Sequence, residues 1–189
     1  ASSDGRTIDF DQGFGDDMAV NHEEALRVVF LNMRGFSTCP WDTGPEGRRK
    51  DLAVKDFILE HKVDAMLMAE TDIHWDSVLP FHRPVPQTKG WFDGRRMENA
   101  FHKDFEADGS LQFGGTASWS INKTANGCIA TGQDTRGLGR WAWSRHQGKA
   151  GMTLRTVAAH RPVENKEGPT TVWHQQRTHF LEQQEHRCP

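Results

Sequence analysis

The sequence predicts an α/β fold, and two patterns in it carry that prediction. In the first half, two short apolar runs, "LRVVFL" (Leu26 to Leu31) and "VDAMLMA" (Val63 to Ala69), flank a stretch with helical spacing, "DLAVKDFILEHK". In the second half, apolar and polar residues alternate with the period of strands, in "GGTASWSI" and again in "RWAWSRHQ". A strand, a helix and a strand in that order make a βαβ unit whose strands run parallel. Alternation between tight turns marks antiparallel strands instead.

Taken in order, residues 1 to 24 hold seven acids against one base. They read as a disordered acidic leader ahead of a single domain over 25–189. The chain opens "ASSDG" without a methionine and is expected to be a piece of something longer, or processed. Leu26 to Leu31 is continuous enough to predict a strand buried on both faces. "STCPWDTGPEG" is a Pro/Gly loop, and the helix after it places Val54, Phe57 and Ile58 on one side. The second strand ends at Glu70. Residues 76 to 112, with Pro80, Pro84, Pro86 and the charged "FDGRRMENAFHKDFEADG", predict a surface excursion. Gly114 and Gly115 then open a half-buried strand in which Thr116, Ser118 and Ser120 alternate with Ala117, Trp119 and Ile121. "RWAWSRHQ", the turn "GKAG" and "MTLRTVAAHRPV" form an antiparallel hairpin. Beyond it, Trp173, Arg177, Phe180 and Leu181 line one side of a helix that Thr170 or Thr171 would cap.

Composition narrows the class. The chain is 35% hydrophobic and 26% charged, with a mean hydropathy of -0.73. It contains no apolar run near the roughly 18 residues that a membrane span needs. Cys39, Cys128 and Cys188 are widely spaced and form no C-x-x-C, which argues against a disulfide framework and a zinc site and favours a reducing compartment. The net charge of -3 divides into -6 for residues 1 to 24 and +3 for the rest, so the domain is free to present a nucleic-acid surface.

The chemistry-bearing candidates stand at strand ends. With a right-handed crossover, the carboxyl ends of the first two strands reach one edge of the sheet, and Asn32 and Glu70 lie side by side there. One carboxylate and one amide oxygen, with water completing the shell, suit Mg²⁺ (or Mn²⁺) in phosphate chemistry. The bland readings are that Asn32 is a turn residue and Glu70 a solvated strand end. Arg34, Arg140 and Arg161 are candidate phosphate or nucleic-acid contacts. Trp141 and Trp143 read first as core and sheet cover and second as a base-stacking surface. His174, His179 and His186 lack the i, i+4 spacing of a helical metal pair, and "RRK" at residues 48 to 50 is too short for a DNA patch.

The ordered motifs "LRVVFLNMRGF", "VDAMLMAETDIHW", "FGGTASWS", "GLGRWAWSR" and "LRTVAAHRPV" resemble the endonuclease/exonuclease/phosphatase superfamily. The resemblance runs from residue 26 to about 182 and is nearest to the endonuclease-like domains that accompany reverse transcriptases in mobile elements. It implies a four-layer α/β sandwich of the deoxyribonuclease I-like type, present here as its N-terminal portion. It further implies a fragment of a Mg²⁺-dependent phosphodiesterase acting on DNA, expected to be inactive by itself, with Asn32 and Glu70 at the metal and His160 at the scissile phosphate. A nuclear location follows from the mobile-element resemblance alone. Three departures qualify the match. His160 stands where the family carries tyrosine, Val163 replaces the asparagine of repair-type members, and "GD-x-N" and a terminal Asp-His pair have no counterpart. The resemblance therefore leaves two alternatives open: a non-catalytic remnant or binding module, and a phosphatase of the same superfamily.

Overall fold

β1 (Val28–Asn32) and β2 (Ala65–Ala69) pair in parallel, with Val28 opposite Ala65 and Asn32 opposite Ala69, in a computed structural model that describes residues 25–36, 50–103 and 114–160. Arg161, Val163, Cys39, Cys188, the acidic leader, the Pro/Gly loop, Arg48 and Arg49, the expected helix of Trp173, Arg177, Phe180 and Leu181, and His174, His179 and His186 lie outside those residues. Between the two strands runs α1 (Lys50–Glu60), whose Val54 and Ile58 are buried and whose Phe57 is partly so, as the spacing predicts. The helix stops because Lys62 turns left-handed (φ 49°). Val63 N–H then donates to Ile58 O at 3.0 Å, closing the last turn with the apolar Val63–Ile58 pair across it.

Two sheets follow from the pairing. The first has the order β1-β2-β4-β3, in which β3 (Arg95–Ala100) and β2 both run antiparallel to β4 (Thr116–Ile121). A short helix, α2 (Pro84–Gln87), precedes β3, and α3 (Asn122–Asn126) leads out of β4. The second sheet is an antiparallel meander of β5 (Cys128–Gln133), β6 (Trp141–Gln147) and β7 (Thr153–Ala159), and it includes the expected hairpin. The sheets stack face to face, β4 against β6 and β7, β2 against β7, and β3 against β5 and β6. The class is α/β with one mixed and one antiparallel sheet. Among the described residues no helix is long and apolar enough to cross a membrane.

The apolar core lies on the outer face of the first sheet. Met66, Met68, Trp119, Ile121, Val54, Ile58, Trp75 and Phe92 belong to one buried cluster there. Each such side chain contributes roughly 1.5 to 3 kcal/mol relative to exposure. The inner faces carry small and polar residues instead. Ala69, Thr116, Ser118 and Ser120 face Ala142, Ser144 and Ala158, all buried, and Ser118 Oγ lies 2.9 Å from Ser144 Oγ.

Three sequence expectations are corrected. β1 is not buried on both faces: among the described residues it is an edge strand, and Val28 and Phe30 are 41% and 54% exposed on the inner face, where the described second sheet ends at β7. β4 is buried on both faces rather than half-buried, because its Thr and Ser side meets the second sheet instead of water. The charged excursion contains β3, whose Met97 opposes Trp119 and whose Arg96 Nη1 donates to Cys128 O at 2.9 Å, tying the two sheets together. Trp141 and Trp143 are half-buried on the outer face of the second sheet, as sheet cover. The stripe facing the first sheet is Ala142, Ser144 and His146.

His146 gives the interior a pH dependence. Its Nδ1 is 3.2 Å from Thr124 O, so the neutral ring donates there, and Nε2 lies 3.4 Å from the Thr156 hydroxyl. Burial holds its pKa below the ordinary value of 6.5, opposed by the Thr124 hydrogen bond. A lowered folded-state pKa means that the unfolded chain takes up the proton first. The contribution is thus fully present above about pH 6.5 and is lost as pH falls through the folded value. Urea midpoints should drop more between pH 7.5 and 5 for the parent than for His146→Gln. Equal drops would show that the ring is solvated.

Candidate functional site

The first residues of the site are placed by strand pairing. Because Asn32 opposes Ala69, the residue after β2, Glu70, emerges beside the end of β1, as the crossover predicts. Met33 N–H donates to Ala69 O, Gly35 N–H to Glu70 O and Phe36 N–H to Thr71 O, each at 2.8 Å, so pairing continues past the strands. Asn32 Oδ1 accepts the Arg34 N–H at 3.2 Å, and Asn32 and Arg34 are both exposed. Arg34 (φ 44°), Glu70 (φ 52°) and Asp72 (φ 55°) all adopt the left-handed region without being glycine. Such residues cost of order 1 to 3 kcal/mol each and gather where a function demands them.

Two further segments close on this rim. Asp72 reaches the start of β4, where its N–H donates to Gly114 O at 2.8 Å and its Oδ1 accepts Gly114 N–H at 2.7 Å. His160, at the end of β7, places Nε2 at 3.4 Å from Glu70 Oε1. Its N–H donates to Arg140 O at 2.9 Å. The Arg140 side chain is only 7% exposed, and its Nη1 lies 3.1 Å from where a side chain at Gly114 would begin. The loop before it is built around Asp134, whose carboxylate accepts the N–H groups of Arg136 (2.9 Å), Leu138 (3.1 Å) and Arg140 (3.4 Å).

The electrostatics are those of a crowded rim. Burial raises the Asp72 pKa, and the Glu70 carboxylate adds to it, against the Gly114 hydrogen bond and the charges of His160 and Lys50. Burial lowers the His160 pKa and the Arg140 guanidinium lowers it further, against Glu70 and Asp72. His160 is therefore a neutral imidazole near pH 7, able to donate or accept a hydrogen bond. Burial also lowers the Arg140 pKa, with Asp134 opposing, yet a guanidinium stays charged.

Of the residues expected from sequence, Asn32, Arg34, Glu70 and His160 come together at one rim, and Arg140 lies behind His160. Asp72, Gly114, Lys50 and Asp134 were not foreseen. Asp72 had a signal, since it is the second residue after Glu70 in "ETDIH". The donor set fits a hard cation: Glu70 and Asn32 offer oxygen at adjacent strand ends, and burial, with the Glu70 charge adding to it, raises the pKa of the neighbouring Asp72, which positive charge would oppose. Among the described residues no three His, Cys, Asp or Glu side chains form a ready-made metal cage, so water would supply most of the shell. No family model matches the chain, and no curated protein matches it.

Proposed function

We propose that this chain carries the Asn32–Glu70 half of a Mg²⁺-dependent phosphodiesterase site, on an α/β sandwich of the deoxyribonuclease I-like type, with DNA as substrate. One observation carries the reading: the parallel register brings Asn32 and Glu70 to neighbouring strand ends, with His160 Nε2 at 3.4 Å from Glu70. Glu70 and Asn32 would hold the ion, which when bound supplies positive charge to a phosphate oxygen.

The chain's own residues then have distinct tasks. Glu70 engages His160 Nε2 and orients its ring at the rim, where the family places a phenol, and the one N–H of the neutral imidazole is shared there between the Glu70 carboxylate and a phosphate oxygen. Arg34, exposed two residues past Asn32, attracts the polyanion. Arg140 is too buried to clamp a surface phosphate; it supports His160 and adds positive potential from behind. Arg161 adjoins His160 in sequence and is proposed as a further phosphate contact. The resemblance to the superfamily motifs supports the choice of DNA over other phosphoesters.

The test is Mn²⁺ affinity, followed by electron paramagnetic resonance, with a duplex oligonucleotide added in a second arm. Glu70→Gln keeps size and removes the charge, and it should weaken Mn²⁺ at least about tenfold, an energy of about 1.4 kcal/mol. Duplex binding should strengthen with Mn²⁺ in the parent and not in the variant. Indistinguishable Mn²⁺ affinities would dismiss Glu70 as a ligand and the reading with it.

A further inference from the structure

We infer that the ammonium group of Lys50 is a positioning group for this site, holding the Met33–Gly35 turn, and with it Asn32 and Arg34, through three backbone carbonyls. Lys50 Nζ donates to Met33 O at 2.8 Å, Arg34 O at 3.0 Å and Gly35 O at 2.8 Å. An ammonium has three donors, and here all three go to successive carbonyls of one turn.

Lys50 stands beside Asp51 in α1, and the carbonyls it binds lie 15 to 17 residues earlier in the chain. The turn needs such help. Arg34 (φ 44°) and Gly35 (φ 87°) are consecutive left-handed residues, and three carbonyl oxygens aimed at one point repel each other unless a cation sits between them. The same turn is bonded to both proposed ion-holding residues, through Arg34 N–H to Asn32 Oδ1 and Gly35 N–H to Glu70 O. A point charge with tetrahedral donors fits three convergent acceptors, whereas the planar guanidinium fork does not. The charge of Lys50 also acts on Asp72 across the rim.

The inference rests on the proposed function for its effect on the ion and on geometry alone for its effect on the turn, so the experiment reads both. Amide hydrogen exchange at Gly35 and Phe36, with Val63 as internal reference, and Mn²⁺ affinity are measured on the full chain, on Lys50→Met, and on Lys50→Ala with and without propylammonium chloride. In Lys50→Met, exchange at Gly35 and Phe36 should quicken about tenfold or more with Val63 unchanged, as expected for lost charge-assisted hydrogen bonds. Mn²⁺ affinity should fall about tenfold, the low end of what partners of metal ligands cost when removed. Propylammonium, but not sodium chloride at equal ionic strength, should restore both in Lys50→Ala. Unchanged exchange at Gly35 and Phe36 overturns the inference. So does faster exchange with full Mn²⁺ affinity, because the turn would then be held without positioning the site. If Val63 loses protection too, Lys50→Arg decides: its charge should preserve Val63 while Gly35 and Phe36 still exchange faster, and parent-like rates there overturn the inference. A parent chain that binds no Mn²⁺ defeats the proposed function and the positioning role together, while the exchange arm still shows whether Lys50 holds the turn.

Discussion

Trp119→Ala should cost about 3 to 5 kcal/mol of folding stability, a large share of the roughly 5 to 15 kcal/mol that a domain possesses. Trp119 is fully buried at the middle of β4, with β2 on one side and β3 on the other. Its ring meets Phe92 at 5.8 Å in a T-shaped contact and Phe36 at 6.3 Å with a tilt of 52°. These neighbours come from three segments of chain, so alanine leaves a cavity that none of them is free to fill alone. Urea denaturation followed by far-ultraviolet circular dichroism measures the loss. Trp119→Phe retains part of the aromatic contact and should fall between parent and alanine. A loss below about 1 kcal/mol for Trp119→Ala would mean that the core is not organised around this ring.

Gly139→Ala should be nearly as damaging, and for a backbone reason. A Cβ at Gly139 would stand 2.6 Å from Phe101 Cα, 2.7 Å from Phe101 C and 2.9 Å from His102 N. All three are main-chain atoms, held where His102 bridges Leu138, so no side chain can swing away to make room. Overpacking of this kind costs about 1 to 3 kcal/mol, and the positive φ of 73° adds about 1 to 2 kcal/mol for a residue with a Cβ. Gly151→Ala is the control, since Gly151 has a similar φ of 77° with nothing within 4 Å of an added Cβ. It should show the conformational cost alone. Equal losses for the two variants would indicate that the Gly139 loop yields freely. Because Arg140 follows directly, Gly139→Ala should also shift the guanidinium away from His160.

Strand ends were legible in the sequence because an apolar run stops visibly. Asn32 and Glu70 follow from that and from the near-obligatory parallel pairing of a βαβ unit. The β6–β7 hairpin was legible for the same reason, since alternation and "GKAG" leave little choice. The exposure of β1 was not, because "VVFL" has no polar residue to mark an outer face, and its burial depends on how far the opposite sheet extends. β3 was hidden by Arg95, Arg96 and Glu98, which an edge strand tolerates and a central strand would not. Asp72 pairs with Gly114 across 42 residues of sequence, and Lys50 acts through backbone carbonyls, which carry no mark of residue type.

The inner faces of the two sheets bear on how the fold responds to temperature. At the centre of the interface the two sheets meet through Ala, Ser and Thr, with Leu67, Arg96 and His146 on the same faces. Hydration of apolar surface raises the heat capacity of the unfolded chain and hydration of polar surface lowers it. Opening this interface therefore adds little to the heat-capacity increment, which belongs mainly to the cluster around Trp119. The curve of stability against temperature should be correspondingly broader, which calorimetry would show as a small heat-capacity increment.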